Sequence, residues 1–297
     1  VDMTQERKGY ASEVALNEVR EKYLERAQGL GLALIFNTTI FDGNIHEVPD
    51  LVRFFVQHAG ELGMASFQMQ ADTGRGVLHK RGQELTRQRL QQLIEQGCDG
   101  TQLSWDAVLF GHPECHNIAY SLVAGGKVID LFDDPRVLGQ WLADFGTLPL
   151  DRTQAIQSAL RLGWHMLTEK PQWLATGSSW LARKLVQTVP PLVRTLWQTR
   201  ERPQLAKLSF FMQNFMDADH LVQERIDHCS FHVATRDGSI SMCQHNARRD
   251  DYIIPANLVR GRDLQPKRPL SRANPKSSVA SAQPTESEPS DGPAPTK

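Results

Sequence analysis

Residues 32–69 read LALIFNTTIFDGNIHEVPDLVRFFVQHAGELGMASFQM, and the class of the fold turns on this stretch. Leu32-Ala33-Leu34-Ile35-Phe36 is an unbroken apolar run of strand length, the pattern of a strand covered on both faces. Residues 48–62 then carry Leu51, Val52, Phe54, Phe55 and Val56 at helical spacing, and residues 64–69 are strand-like again. A strand, a helix and a strand in that order predict a crossover between parallel strands. Working outward, residues 12–28 show a helical pattern (Val14, Leu16, Val19, Tyr23, Leu24, Ala27) before the first strand. Residues 82–96 show another (Leu85, Leu90, Leu93, Ile94) after the second. The first hundred residues read as a β/α repeat entered partway through.

After Cys98 the character changes. Residues 117–123, Gly125-Gly126 and residues 127–132 predict a β-hairpin with a two-glycine turn. Asp134 is placed to cap a helix over 135–145, with Pro135 at its first position. Residues 151–200 read as mostly helical, 217–227 as a short helix, and 229–243 as a second hairpin turning at Asp237-Gly238. Residues 98–261 are thus expected to form an α+β appendage to the unit at 1–97. Residues 262–297, rich in Pro and Ser and lacking aromatics, cannot bury enough apolar area to offset chain entropy and read as a disordered tail.

The chain of 297 residues is long enough for a sizeable core. Its 33 basic and 34 acidic side chains leave a net charge of -1, which gives no broad attraction to phosphate backbones and argues against a nucleic-acid partner. No apolar run is long enough to span a bilayer and no leader pattern opens the chain, so a cytoplasmic protein is expected. The four cysteines then read as reduced thiols or metal ligands rather than disulfides. Val1-Asp2-Met3-Thr4 reads like the end of a strand, which suggests an N-terminal truncation.

Three cysteines lie in polar contexts beside turns: Cys115 in Gly111-His112-Pro113-Glu114-Cys115-His116, Cys229 after Asp227-His228, and Cys243 before Gln244-His245. A hairpin turning at Asp237-Gly238 would set Cys229 and Cys243 opposite one another. Thiolates with imidazoles nearby suit zinc or an iron–sulfur cluster alike. The plainer alternative is partly buried structural cysteines, since no C-x-x-C spacing is present. Cys98, after a helix and before Asp99-Gly100, has the blandest context of the four.

The run Phe211-Met212-Gln213-Asn214-Phe215-Met216-Asp217-Ala218, then Glu224-Arg225, Cys229, Asp237-Gly238 and Cys243 with Asn246, resembles a family's C-terminal signature. That family is the radical S-adenosylmethionine subfamily of the archaeal tetraether lipid synthases and related radical methylases. Residues 105–116 resemble its proline- and cysteine-bearing segment. Phe36-Asn37-Thr38-Thr39 with Gly43-Asn44 and Glu47, followed by Ser66-Phe67-Gln68-Met69-Gln70, resembles the fifth and sixth strands of its partial barrel. Met242 stands where the pattern has phenylalanine, and no cysteine precedes Cys115 in its segment.

The resemblance implies an α/β fold: the second half of a partial (β/α) barrel, an α+β C-terminal appendage and the tail. It implies that Cys115, Cys229 and Cys243 hold an auxiliary [4Fe-4S] cluster, with Cys98, His112 or His116 as fourth ligand. Asp2, Thr4, Asn37, Thr38, Gln68 and Gln70 would line the barrel mouth, where S-adenosylmethionine and substrate meet. It further implies a small-molecule or lipid substrate, methylated or coupled at an unactivated carbon, and a reductant such as ferredoxin or flavodoxin. The C-x-x-x-C-x-x-C motif that binds the family's catalytic cluster occurs nowhere in the sequence, so this chain alone is not expected to cleave the cofactor. The competing class is a non-catalytic zinc-binding or protein-interaction module stapled by the same three cysteines.

Two further stretches stand out. Residues 178–200 combine Trp180, Leu181, Leu185, Val186, Val189, Leu192, Val193, Leu196 and Trp197 with Arg183, Lys184, Arg194 and Arg200, interrupted by Pro190-Pro191. Tryptophan among basic residues marks a peripheral membrane contact or a lipid chain, and a core-facing helix pair is the commoner alternative. Asp72-Thr73-Gly74-Arg75-Gly76 lacks a full phosphate-binding pattern and reads as a barrel loop.

Overall fold

The computed structural model describes residues 9–73, 85–107, 111–149, 155–200, 202–235 and 238–252. The readings for Asp2, Thr4 and residues 262–297 lie outside them. The described chain opens with α1 (Asn17–Ala27), β1 (Leu34–Ile40), α2 (Val48–Gln57), β2 (Leu62–Met69) and α3 (Arg87–Gly97). β1 and β2 pair in parallel, as the crossover requires. The apolar face of α2 supplies Val48, Leu51, Val52, Phe55 and Val56 to the core, where Phe55 meets Phe36 of β1 and Phe67 of β2 at ring-centroid distances of 6.2 and 6.0 Å. Burying one such ring contributes about 1.5–3 kcal/mol. α3 lies close against α2: a Cβ on Gly97 would come within 2.5 Å of the Val52 Cβ. Thr86 caps α3, its hydroxyl accepting the Arg89 N–H at 3.1 Å.

β3 (His116–Ala124) and β4 (Lys127–Asp130) form the expected hairpin, with Gly125 and Gly126 both at positive φ, 56° and 81°, as a two-residue turn demands. Three helices follow: α4 (Pro135–Phe145), α5 (Ala155–Thr168) and α6 (Gln172–Thr199). The next element, β5 (Leu205–Asn214), is the centre of the sheet, whose order is β1-β2-β5-β3-β4. β5 runs parallel to β2 and antiparallel to β3. The result is one mixed α/β sheet, not closed on itself among the described residues. Strands from both sides of residue 98 share it.

The chain ends, as described, with α7 (Gln223–Asp227), the hairpin β6 (His232–Thr235) and β7 (Gly238–Ser241), then α8 (Met242–Ala247) and α9 (Arg249–Tyr252). Most boundaries shift by a few residues from expectation, β1 to Leu34–Ile40 and α3 to Arg87–Gly97 among them, and three shifts have a visible cause. α2 stops at Gln57 because a turn through Gly60 returns the chain to β2. The helix expected over 217–227 is confined to 223–227: the Asp217 carboxylate accepts the Asp72 N–H at 2.7 Å and the Ala218 N–H donates to the Asp72 carbonyl at 2.7 Å, so these groups are committed elsewhere. The second hairpin strand ends at Ser241, whose hydroxyl accepts the Gln244 N–H and starts α8.

Candidate metal centre

Sequence separation hides the central arrangement. Cys115 closes a turn just before β3, and its carbonyl accepts the N–H of Asn214, the last residue of β5, at 2.8 Å. Cys229 follows α7, and Cys243 is the second residue of α8, brought back by the β6–β7 hairpin. All three line one cavity together with His116, Met216, Arg225 and Phe231. Cys115 and Cys243 are buried and Cys229 half-buried.

Two of the sulfurs are addressed by donors. Arg225, buried on α7, donates from Nε to Cys115 Sγ at 3.2 Å and from Nη2 to the Asn214 carbonyl at 2.5 Å. The Met216 N–H donates to Cys243 Sγ at 3.4 Å. The third, Cys229, donates its own S–H to the Phe231 carbonyl at 3.0 Å. Burial pushes the Cys243 thiol up; the Met216 N–H and Arg225 oppose this, while Cys115 and Cys229 add to it. Cys115 and Cys229 therefore sit within electrostatic reach of Cys243.

His116 stacks against Phe211 and Phe231, with centroids 5.9 and 4.6 Å away. Burial, helped by the Arg225 charge, lowers its pKa to about 4, so the ring is neutral near pH 7, the form that ligates metals. Of the other candidate fourth ligands, Cys98 lies in the main core at the end of α3, its thiol pushed up chiefly by burial. His112 faces His228 and Glu224 rather than the cavity.

The donor set, three thiols and one neutral imidazole, suits a soft metal or a cluster. The cavity is tight, with about 10 Å³ open, the space of a single water. Among the described residues no group of three or more His, Cys, Asp or Glu side chains is gathered closely enough to hold a metal ion. The chemistry and convergence fit such a group; a closed coordination sphere is not preformed.

The barrel-mouth candidates separate by face. Asn37 and Gln68 lie on the face away from α2, the Asn37 Nδ2 donating to Gln68 Oε1 at 3.3 Å and the Ser66 hydroxyl donating to Asn37 Oδ1 at 2.8 Å. Thr38 is turned to the opposite, helix-covered face, fully buried, where its hydroxyl accepts from Arg20 at 3.3 Å. Gln70 follows β2, buried, its N–H donating to the Ile40 carbonyl at 2.8 Å. The register adds what spacing alone missed: Thr39, Gln68, Gln213 and His116 form one row across β1, β2, β5 and β3. That polar row runs from the proposed mouth to the cysteine cavity. Arg225, read only as part of a signature, is the cation at the sulfurs. Compared with known proteins, the sequence matches no family model and no curated protein.

Proposed function

We propose that this chain is the C-terminal portion of a radical S-adenosylmethionine iron–sulfur enzyme that methylates or couples an unactivated carbon of a small molecule or lipid. Cys115, Cys229 and Cys243 hold its auxiliary [4Fe-4S] cluster, and the sheet is the second half of a partial barrel. The observation that carries this reading is the convergence of three cysteines from distant segments on one cavity, with donors aimed at two of the sulfurs. When bound, the cluster supplies one-electron chemistry whose potential is set by hydrogen bonds to its sulfurs and by burial.

The chain's own residues do the rest. Arg225 sets a positive charge beside Cys115 and ties α7 to the end of β5, so the charge is fixed relative to the sheet. The Met216 N–H stabilises negative charge on Cys243. Phe215 and Phe231 line the cavity, Phe211 stacking on Phe231, and together they screen it from water. Asn37 and Gln68, joined by Thr39 and Gln213, offer donors and acceptors to S-adenosylmethionine or substrate on the open face. A ferredoxin or flavodoxin serves as reductant, and the missing C-x-x-x-C-x-x-C segment must be supplied for turnover.

His116 at the cavity favours a second reading, a Cys3His zinc site in a non-catalytic module. Anaerobic reconstitution with iron and sulfide separates the two. The cluster reading expects about four irons and four sulfides per chain and loss of both in Cys229→Ser and Cys243→Ser. A colourless protein carrying one zinc, or full iron retention by both variants, overturns it.

A further inference from the structure

α6 is amphipathic with its polarity reversed. The stripe it turns inward, against α4 and the sheet, is Trp173, Gly177, Trp180, Lys184, Thr188, Leu192 and Thr195, recurring every three or four residues. Lys184, almost fully buried, donates to the Asp130 carbonyl at 2.7 Å and meets the Asp133 carboxylate at 3.1 Å. Thr195 donates to the Gly125 carbonyl at 3.2 Å, and the buried Thr188 hydroxyl has no partner among the described residues. A helix packed on a core normally turns its apolar stripe inward. Here Leu181, Leu185, Val186, Val189, Val193 and Trp197 face outward instead, with Val186 74% and Trp197 81% exposed. On α5, Leu160, Trp164 and Leu167 are likewise exposed, Trp164 to 69%.

Charge decides what covers it. None of the chain's 34 acidic side chains falls within α5 or α6, whereas Arg161, Arg183, Lys184 and Arg194 do. Arg183 and Arg194 lie together along one flank of the apolar sector of α6, a separation of eleven residues being close to three helical turns. Arg183 is paired with the Asp133 carboxylate at 3.4 Å, and Arg194 adds a further cation to the same flank. Exposed tryptophans and aliphatic side chains bordered by arginine are the composition of a helix lying in a bilayer interface. Among the described residues no helix is long and apolar enough to cross a membrane, so the contact is with the surface. The sector also borders a cavity of about 540 Å³ between α4, α5 and α6, lined chiefly by Trp141, Leu162, Met166, Trp173, Trp180 and Leu181. Its size is that of a small-molecule site and its lining is apolar.

The geometry points to α5 and α6 as a membrane-surface hairpin. Its outer face lies in the headgroup region of an anionic bilayer, and its cavity takes in one hydrocarbon chain of that bilayer. This inference rests on no part of the cluster reading, and metal-free and reconstituted chains should bind vesicles alike.

The test is co-sedimentation of the full chain with large vesicles of phosphatidylcholine alone or with a third phosphatidylglycerol, at low and high salt. Binding is expected only to the anionic vesicles and to weaken with salt, with tryptophan emission quenched by acyl chains brominated along their length. Arg194→Gln should lower the binding constant about fivefold. Val186→Asp, at an exposed position where folding is checked by circular dichroism, should abolish it. No binding to anionic vesicles, equal binding to neutral ones, or undiminished binding by Val186→Asp overturns the inference. So does a vesicle-free dimer that Val186→Asp converts to monomer, since a second copy then covers the face.

Discussion

Arg20 and Glu13 form an ion pair with both side chains fully buried at the end of β1. Arg20 also donates to the Glu13 carbonyl at 3.0 Å and to Asn17 Oδ1 at 2.7 Å, and the Glu47 carboxylate accepts the Glu13 and Val14 N–H groups at 3.2 and 2.7 Å. Removing one partner of such a pair strands a charge away from water. Arg20→Met should therefore cost about 3–5 kcal/mol in urea unfolding, and Arg20→Met with Glu13→Gln distinctly less than the two single losses added. Arg225 stands under a similar constraint at the cavity. Arg225→Met removes the guanidinium bonds to the Asn214 carbonyl and Cys115 Sγ, and a loss of about 1–3 kcal/mol is expected from thermal melts. Neither residue's role was legible in the sequence. Arg20 sits at an ordinary position of an amphipathic helix, and Arg225's partner lies 110 positions away.

At the scale of elements, the β3–β4 turn offers a paired comparison. A Cβ on Gly125 would lie 2.4 Å from Thr195 Oγ1 and 2.7 Å from the Pro191 carbonyl, whereas one on Gly126 meets nothing within 4 Å. Both glycines have positive φ, so Gly126→Ala should cost about 1 kcal/mol and Gly125→Ala clearly more, because α6 must also move. Differential calorimetry of the two variants measures the difference. α4 and α6 are joined at Asp144, which accepts from Lys170 Nζ and Trp173 Nε1 at 2.6 and 2.7 Å. These bonds hold its carboxyl below the usual carboxylate range. A depressed folded value means the stabilisation is present above the unfolded value near 3.8 and disappears as pH falls through the folded one. Asp144→Asn should accordingly be less stable than the parent at pH 7, with the gap in urea midpoint closing in strong acid. Local pattern made most elements legible: the Gly125-Gly126 hairpin, the α2 stripe and the parallel pair all follow from short-range chemistry. β5 did not, because Leu208-Ser209-Phe210-Phe211-Met212 reads equally as a motif or a strand until its neighbours are known.

At the scale of the molecule, a metal at Cys115, Cys229 and Cys243 would link the start of β3 to both sides of the β6–β7 hairpin. Metal that binds only the folded state raises its stability. Reconstituted protein is expected to melt several degrees above the metal-free chain, and Cys243→Ser to lose that increment while keeping the metal-free melting temperature. The spacing predicts Cys229 opposite Cys243 across the hairpin, but the ladder pairs His232 with Ser241 and Cys243 lies beyond it in α8; the two share a cavity instead, and their meeting with Cys115 and His116 depends on β5, a long-range pairing that no local spacing encodes. The position of β5 also sets an order of events during synthesis. β2 and β3 both need it as a neighbour, yet it emerges from the ribosome more than eighty residues after β3 is complete. Until then each presents an unsatisfied strand edge, one of them beside the apolar run of β1, and such edges recruit other chains. A nascent chain halted before residue 205 is a natural client for a holding chaperone, and slowed translation across α5 and α6 lengthens that exposure.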